Sequence, residues 1–270
     1  MFRRYADDLS ARAESVLETC RQAVNAEGGR RARARVAREK FRAKTARTSW
    51  REIRAKLEKA KPVGTTCHYC ELDRYRDIDH VYPLAIYPEE SFSYYNFVYS
   101  CVICNQNRKR ERCASIVDGE VIELDSFARH DIVLPEGVKA FVNPRIEDPA
   151  NFFDLDLETG VMLIAYGIDG VPKKRAEYTI DVLHLNDPNL ARDRRSSFRL
   201  YSSLLGAIEE AIRENDTKKF ERSFEDLLMV GRPTVLAKMH RSAGNLGAVG
   251  ETLNFILEKC DVSMDELLLT

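Results

Sequence analysis

Four cysteines define the chemistry open to this chain. Cys67 and Cys70 form one Cys-x-x-Cys pair, Cys101 and Cys104 a second, with thirty residues between them. A two-residue gap lets one tight turn present two sulfurs to the same ion, and two such turns close a tetrahedral Cys₄ zinc site. Disulfides are the other use of paired cysteines. Against them, the opening Met-Phe-Arg-Arg-Tyr-Ala-Asp-Asp lacks the apolar run of an export signal, and seven cysteines is an odd count, so a structural zinc is expected. Cys20, Cys113 and Cys260 are scattered and read as small buried thiols. His68 sits at the tip of the first turn, a poor position for a ligand.

Between and beside these pairs stand groups suited to hydrolysis: Asp79-His80, Asn96, and Asn105 directly after Cys104. Cutting a phosphodiester needs an activated water, a Lewis acid on the phosphate and neutralisation of the developing charge. A histidine, with an ordinary pKa near ~6.5, is the side chain best suited to being a free base at neutral pH. A zinc ribbon that only binds nucleic acid would show the same four cysteines, and a lone histidine can simply pack. Such a ribbon has no need of Asp-His and Asn at these places.

Short elements must position these groups. Arg76 to Pro83 alternates polar and apolar residues like a strand that Pro83 ends. Alternation places Asp77 and Asp79 on one face and Ile78 and His80 on the other, so a bulge or twist is needed to bring Asp79 and His80 to one site. Tyr95 to Ser100 is aromatic and β-prone, a second strand delivering the chain to Cys101. From Asn105 to Arg112 no breaker occurs, and a helix is expected.

The series Cys-x-x-Cys, Asp-His-x-x-Pro, Asn-Phe-Val, Cys-x-x-Cys-Asn-x-x-Arg resembles the HNH endonucleases, whose ββα-metal fold holds one divalent ion at a scissile phosphate. The resemblance implies His80 as the general base and Asp79 as a metal ligand. Asn96 would orient the histidine and brace the loop, and Asn105 would be the second ligand. Asn107 lies close by, so adjacency to Cys104 alone selects Asn105. A carboxylate and an amide oxygen are hard donors, which favours Mg²⁺ or Mn²⁺ there.

The formal net charge is −1, but it is unevenly spread: between Arg30 and Lys61 fourteen Lys/Arg meet three acids, a local excess of +11 that leaves −12 for the remainder. This stretch is helix-prone, with Trp50, Ile53 and Leu57 as its docking stripe and Ser49 with Glu52 as a capping box. It reads as a basic arm lying along a DNA backbone, with Arg31, Arg35, Arg38 and Arg42 as phosphate contacts, or as a merely solvated face. Arg108, Lys109 and Arg112 are further candidate phosphate contacts. An amphipathic helix precedes the arm, over Ala6 to Asn25. No apolar run approaches the roughly eighteen residues of a membrane span, so a soluble, cytoplasmic protein without a membrane partner is expected.

Beyond the cysteines, Val117 to Val121 and Leu155 to Ile164 suggest hairpins, the second turning at Thr159-Gly160, with Glu147, Asp148, Asp154 and Asp156 in solvated turns. From Thr179 the chain turns helical, with a long helix starting at Asp187-Pro188 and another near Phe220; His184 and His240 read as packed. The segments Asn143 to Pro149 and Thr179 to Leu190, following such a core, resemble the HNH subunit of Septu-type bacterial anti-phage systems. That resemblance implies an ABC- or SMC-like ATPase partner. The expected fold class is α+β: a helical region over residues 1–62 carrying the basic arm, a zinc-stapled ββα core at 63–114, strands and turns at 115–178, and helices at 179–270. RNA in place of DNA as substrate, or a catalytically inactive nucleic-acid adaptor, are the alternatives.

Overall fold

The computed structural model describes residues 9–43, 48–59, 67–72, 76–124 and 133–260. Three helices come first: α1 (Ala11–Asn25), α2 (Arg30–Arg42) and α3 (Thr48–Lys59). Helix α1 starts at Ser10, whose hydroxyl accepts from Ala13 N. The same residue donates from its backbone N and its hydroxyl to the two Glu52 carboxylate oxygens, both at 2.7 Å. Glu52 thus serves the start of α1, while the Ser49 side chain of the expected capping box lies outside the described residues. The basic stretch forms two helices, and its stripe of Trp50, Ile53 and Leu57 is buried.

Strands β1 (Arg76–His80) and β2 (Phe97–Cys101) then pair antiparallel in unbroken register, with Ile78 opposite Tyr99, Asp79 opposite Val98 and His80 opposite Phe97. One face of this hairpin, carrying Ile78, Phe97 and Tyr99, packs on the three N-terminal helices. Val98 and Cys101 instead join the large core shared with the C-terminal helices. The N-terminal cluster therefore includes residues from both the first three helices and the hairpin. After β2 the chain forms a π-helical turn, Ile103–Lys109, where an α-helix was expected; Arg110 ends it with φ +50°.

The first expected hairpin is β3 (Ala114–Val117) with β4 (Glu120–Glu123), turning at Asp118-Gly119 with φ +49° and +82°. Positive φ at both positions is the geometry that twists with the strands. Strand β5 (Val138–Lys139) pairs on the other side of β3. The second hairpin joins β6 (Phe153–Leu155) to β7 (Met162–Ile164). At its turn a Cβ on Gly160 would lie 1.9 Å from the Ala191 carbonyl oxygen, so only glycine fits there.

The remainder is helical: α4 (Gly170–Leu183), α5 (Pro188–Glu214) capped by the Asp187 carboxylate, α6 (Thr217–Met229), α7 (Pro233–Arg241) and α8 (Ala248–Cys260). Helices and small antiparallel sheets thus make a mixed architecture compatible with α+β. His184 departs from expectation: it is an exposed left-handed residue closing α4. Glu147 and Asp154 do more than solvate turns, pairing with Arg175 and Lys238 respectively. Among the described residues no helix is long and apolar enough to cross a membrane.

Candidate metal centre and hydrolytic site

The sulfurs of Cys67, Cys70, Cys101 and Cys104 lie within 4.8 Å of one another and all four residues are buried. Cys70 and Cys101 are 3.8 Å apart, far beyond a disulfide bond. A zinc tetrahedron with Zn–S near 2.3 Å has S–S edges of about 3.8 Å, so the four are positioned to bind a metal ion and suit zinc. Backbone N–H groups of Cys101 and Cys104 donate to the sulfurs of Cys67 (3.3 Å) and Cys101 (3.5 Å), as thiolates require.

His68 is no ligand. Its Nδ1 accepts from Tyr99 N at 3.3 Å and its Nε2 faces the Leu57 carbonyl at 3.2 Å, tying the first cysteine turn to β2 and α3. The same turn is tied to the C-terminal region: Arg232 donates to the Cys70 carbonyl at 2.7 Å, and the buried Glu71 carboxylate receives the Thr234 hydroxyl and backbone N at the start of α7.

Asp79 and His80 end β1 on opposite faces, and no bulge intervenes. Both are nevertheless among the residues that line a cavity of about 480 Å³, with Asn105, Lys109, Arg110 and Glu111. Asn107, exposed, does not line it. On one side His80 packs between Phe41 and Phe97, ring centroids 4.5 and 5.2 Å away. Its Nε2 lies 2.8 Å from the Ser91 carbonyl, which can only accept, so the proton of the neutral ring sits on Nε2 and Nδ1 is the basic nitrogen.

On the other side Asp79 meets the Tyr69 hydroxyl at 3.2 Å and the Lys109 ammonium at 3.2 Å. Burial pushes the Asp79 carboxyl above its usual range, opposed by the Lys109 charge. Lys109, expected as a phosphate contact, is wholly buried and also bonds the His80 carbonyl at 2.6 Å.

Asn96 does not act on the imidazole directly. Its amide donates to the carbonyls of Tyr82 (3.0 Å) and Glu90 (3.1 Å) and accepts from Tyr82 N (2.8 Å), bracing the loop whose Ser91 holds His80. Asn96→Ala strands one N–H and two carbonyls, so denaturant unfolding should show a loss of about 2–4 kcal/mol with zinc content unchanged. A variant within about 0.5 kcal/mol of the parent would remove this bracing role.

The other basic residues divide. Arg108 bonds the Leu183 and His184 carbonyls and Asp187, and Arg112 pairs with Glu123 and Asp181, so both tie the segment after β2 to its neighbours. Arg31, Arg35, Arg38 and Arg42 are exposed along α2. Arg35 pairs with Glu39 at 3.3 Å and Arg38 with Glu111, at the cavity rim, at 3.4 Å. Exposed pairs of this kind contribute little to stability. The residues that the spacing did not reveal are Phe41, Tyr69, Ser91 and the inward Lys109. A trace existed for one: Phe41 is the single aromatic residue between Arg30 and Ser49, an apolar ring in an arginine run.

Asp79 and Asn105, the two residues expected to be ligands of a divalent ion, both line this cavity. No protein-family model and no curated protein matches this chain.

Proposed function

We propose that this protein is a metal-dependent endonuclease of the HNH type that hydrolyses DNA phosphodiester bonds. The observation that supports the reading is that His80, Asp79 and Asn105 all line one cavity beside a β-hairpin whose other end carries the four-cysteine cluster. His80, proton fixed on Nε2 by the Ser91 carbonyl, takes the proton of the attacking water at Nδ1. A divalent ion bound through Asp79 and Asn105 would supply Lewis-acid polarisation of the phosphate and charge neutralisation at the leaving oxygen. Asn96 keeps the Ser91 loop in register, and the cysteine cluster, as a zinc site, fixes the hairpin rather than the chemistry.

The docking of α2 supports a nucleic-acid substrate. Phe41, in its last turn, lies on the His80 ring, so the exposed Arg31, Arg35, Arg38 and Arg42 share a helix that ends at the candidate base. These arginines would exchange counterions along the backbone without choosing sequence. A cytoplasmic role in bacterial anti-phage defence, beside an ABC- or SMC-like ATPase, is part of the same proposal and rests on the resemblance of the Asn143–Pro149 and Thr179–Leu190 segments.

The test is incubation of purified protein with plasmid DNA and matched RNA in Mg²⁺, Mn²⁺ or Ni²⁺, with and without a co-encoded ATPase. Nicking or linearisation that a chelator of the weakly held ion abolishes is expected. Cleavage of RNA alone would move the substrate class, and firm DNA binding without any cleavage would select a catalytically inactive adaptor.

A further inference from the structure

Lys109 is the feature that neither the zinc site nor the proposed hydrolysis uses. Its side chain is 1% exposed, and a buried ammonium is costly unless its charge is matched. Here the match is Asp79, one of the two oxygen donors at the cavity. The Nζ atom lies 3.2 Å from Oδ2 and 3.5 Å from Oδ1, so it straddles the carboxylate, while the Tyr69 hydroxyl takes Oδ2 as well. Its remaining anchor is the His80 carbonyl, and Lys109 itself lines the cavity. An ion arriving there meets a carboxylate already neutralised by a cation.

We propose that Lys109 is the resident cation of the divalent site. It holds Asp79 in place without an ion and competes with the ion for that carboxylate, so the site's affinity for divalent metal is set low. The inference rests on reading Asp79 as a metal ligand. Two cations sharing one carboxylate repel, so binding of either weakens the other by the same factor, and removing the ammonium must tighten the ion. Removal also leaves a buried carboxylate without its cationic partner, a large loss that the ion can then make good.

The test uses Lys109→Met in the full-length, zinc-loaded protein, with Mn²⁺ as the probe. Without Mn²⁺ the variant should melt about 10 °C below the parent. Added Mn²⁺ should restore much of that difference while moving the parent little. Mn²⁺ affinity, followed by electron paramagnetic resonance, should rise roughly tenfold or more. Asp79→Asn added to Lys109→Met should abolish both effects. Should Lys109→Met fail to fold, Lys109→Gln keeps a donor for the His80 carbonyl and removes the charge, and the same two readings apply. Unchanged or weaker Mn²⁺ binding in a folded neutral variant overturns the proposal, even if the parent cuts DNA. Tighter binding in a protein that never cuts leaves it standing and removes the nuclease reading instead.

Discussion

Substituting alanine for His80 is expected to eliminate cleavage, lowering the single-turnover rate by about 10²–10⁴-fold, while one zinc per chain and DNA affinity are retained. The expectation follows from the way the ring is held. Its Nε2 proton is committed to the Ser91 carbonyl, and Phe41 and Phe97 flank it, so the imidazole can neither rotate nor exchange tautomers without breaking that bond. Among the described residues, His68 is tied to Leu57 and Tyr99, and His184 is exposed at the end of α4. Truncation also opens a hole beneath Phe41, which should cost about 1–3 kcal/mol. His80→Gln, which fills more of that space and has no basic nitrogen, separates the two effects. Near-normal cleavage in a folded His80→Gln protein would remove the proposed base.

Cys101→Ser should act on the whole fold. Cys101 ends β2 and its sulfur is 3.8 Å from that of Cys70, so it joins the strand to the cysteine turn. A closed Cys₄ zinc site is associated with an apparent binding free energy of about 10–16 kcal/mol, comparable to or larger than the roughly 5–15 kcal/mol net stability of a domain. Replacing one thiolate by a hydroxyl removes a soft ligand and opens the tetrahedron. The consequence extends beyond the hairpin, because Arg232 holds the Cys70 carbonyl and Glu71 receives the start of α7. Zinc content should fall well below one per chain, the melting temperature should drop by more than about 10 °C, and cleavage should vanish. A serine variant with full zinc and an unaltered melting curve would show that the cysteines do not clamp the core.

What the sequence made legible was local. Two Cys-x-x-Cys turns declare their geometry within four residues each. The alternation from Arg76 to His80 placed Ile78 and Asp79 on opposite faces, and β1 has that arrangement. The Asp118-Gly119 hairpin and the Asp187-Pro188 helix start followed from turn and capping chemistry. What stayed hidden depends on partners distant in sequence. Lys109 stands in the run Arg108 to Arg112 and reads as a phosphate contact, yet the π-helical turn directs it inward to Asp79, thirty residues earlier. Glu52 suits a cap for its own helix, but its carboxylate binds Ser10, forty-two residues away. No bulge separates Asp79 from His80, so the two keep the opposite faces that alternation gave them while both line the cavity, an arrangement that only the packed hairpin defines.

Crystals soaked in Mn²⁺ and measured by anomalous diffraction at the zinc and manganese edges would test the central geometry most directly. Zinc at the centre of Cys67, Cys70, Cys101 and Cys104, together with manganese bound to Asp79 and Asn105 beside His80, is the predicted result. Manganese bound elsewhere, with Asp79 and Asn105 directed away from any common ion at saturating concentration, would contradict it.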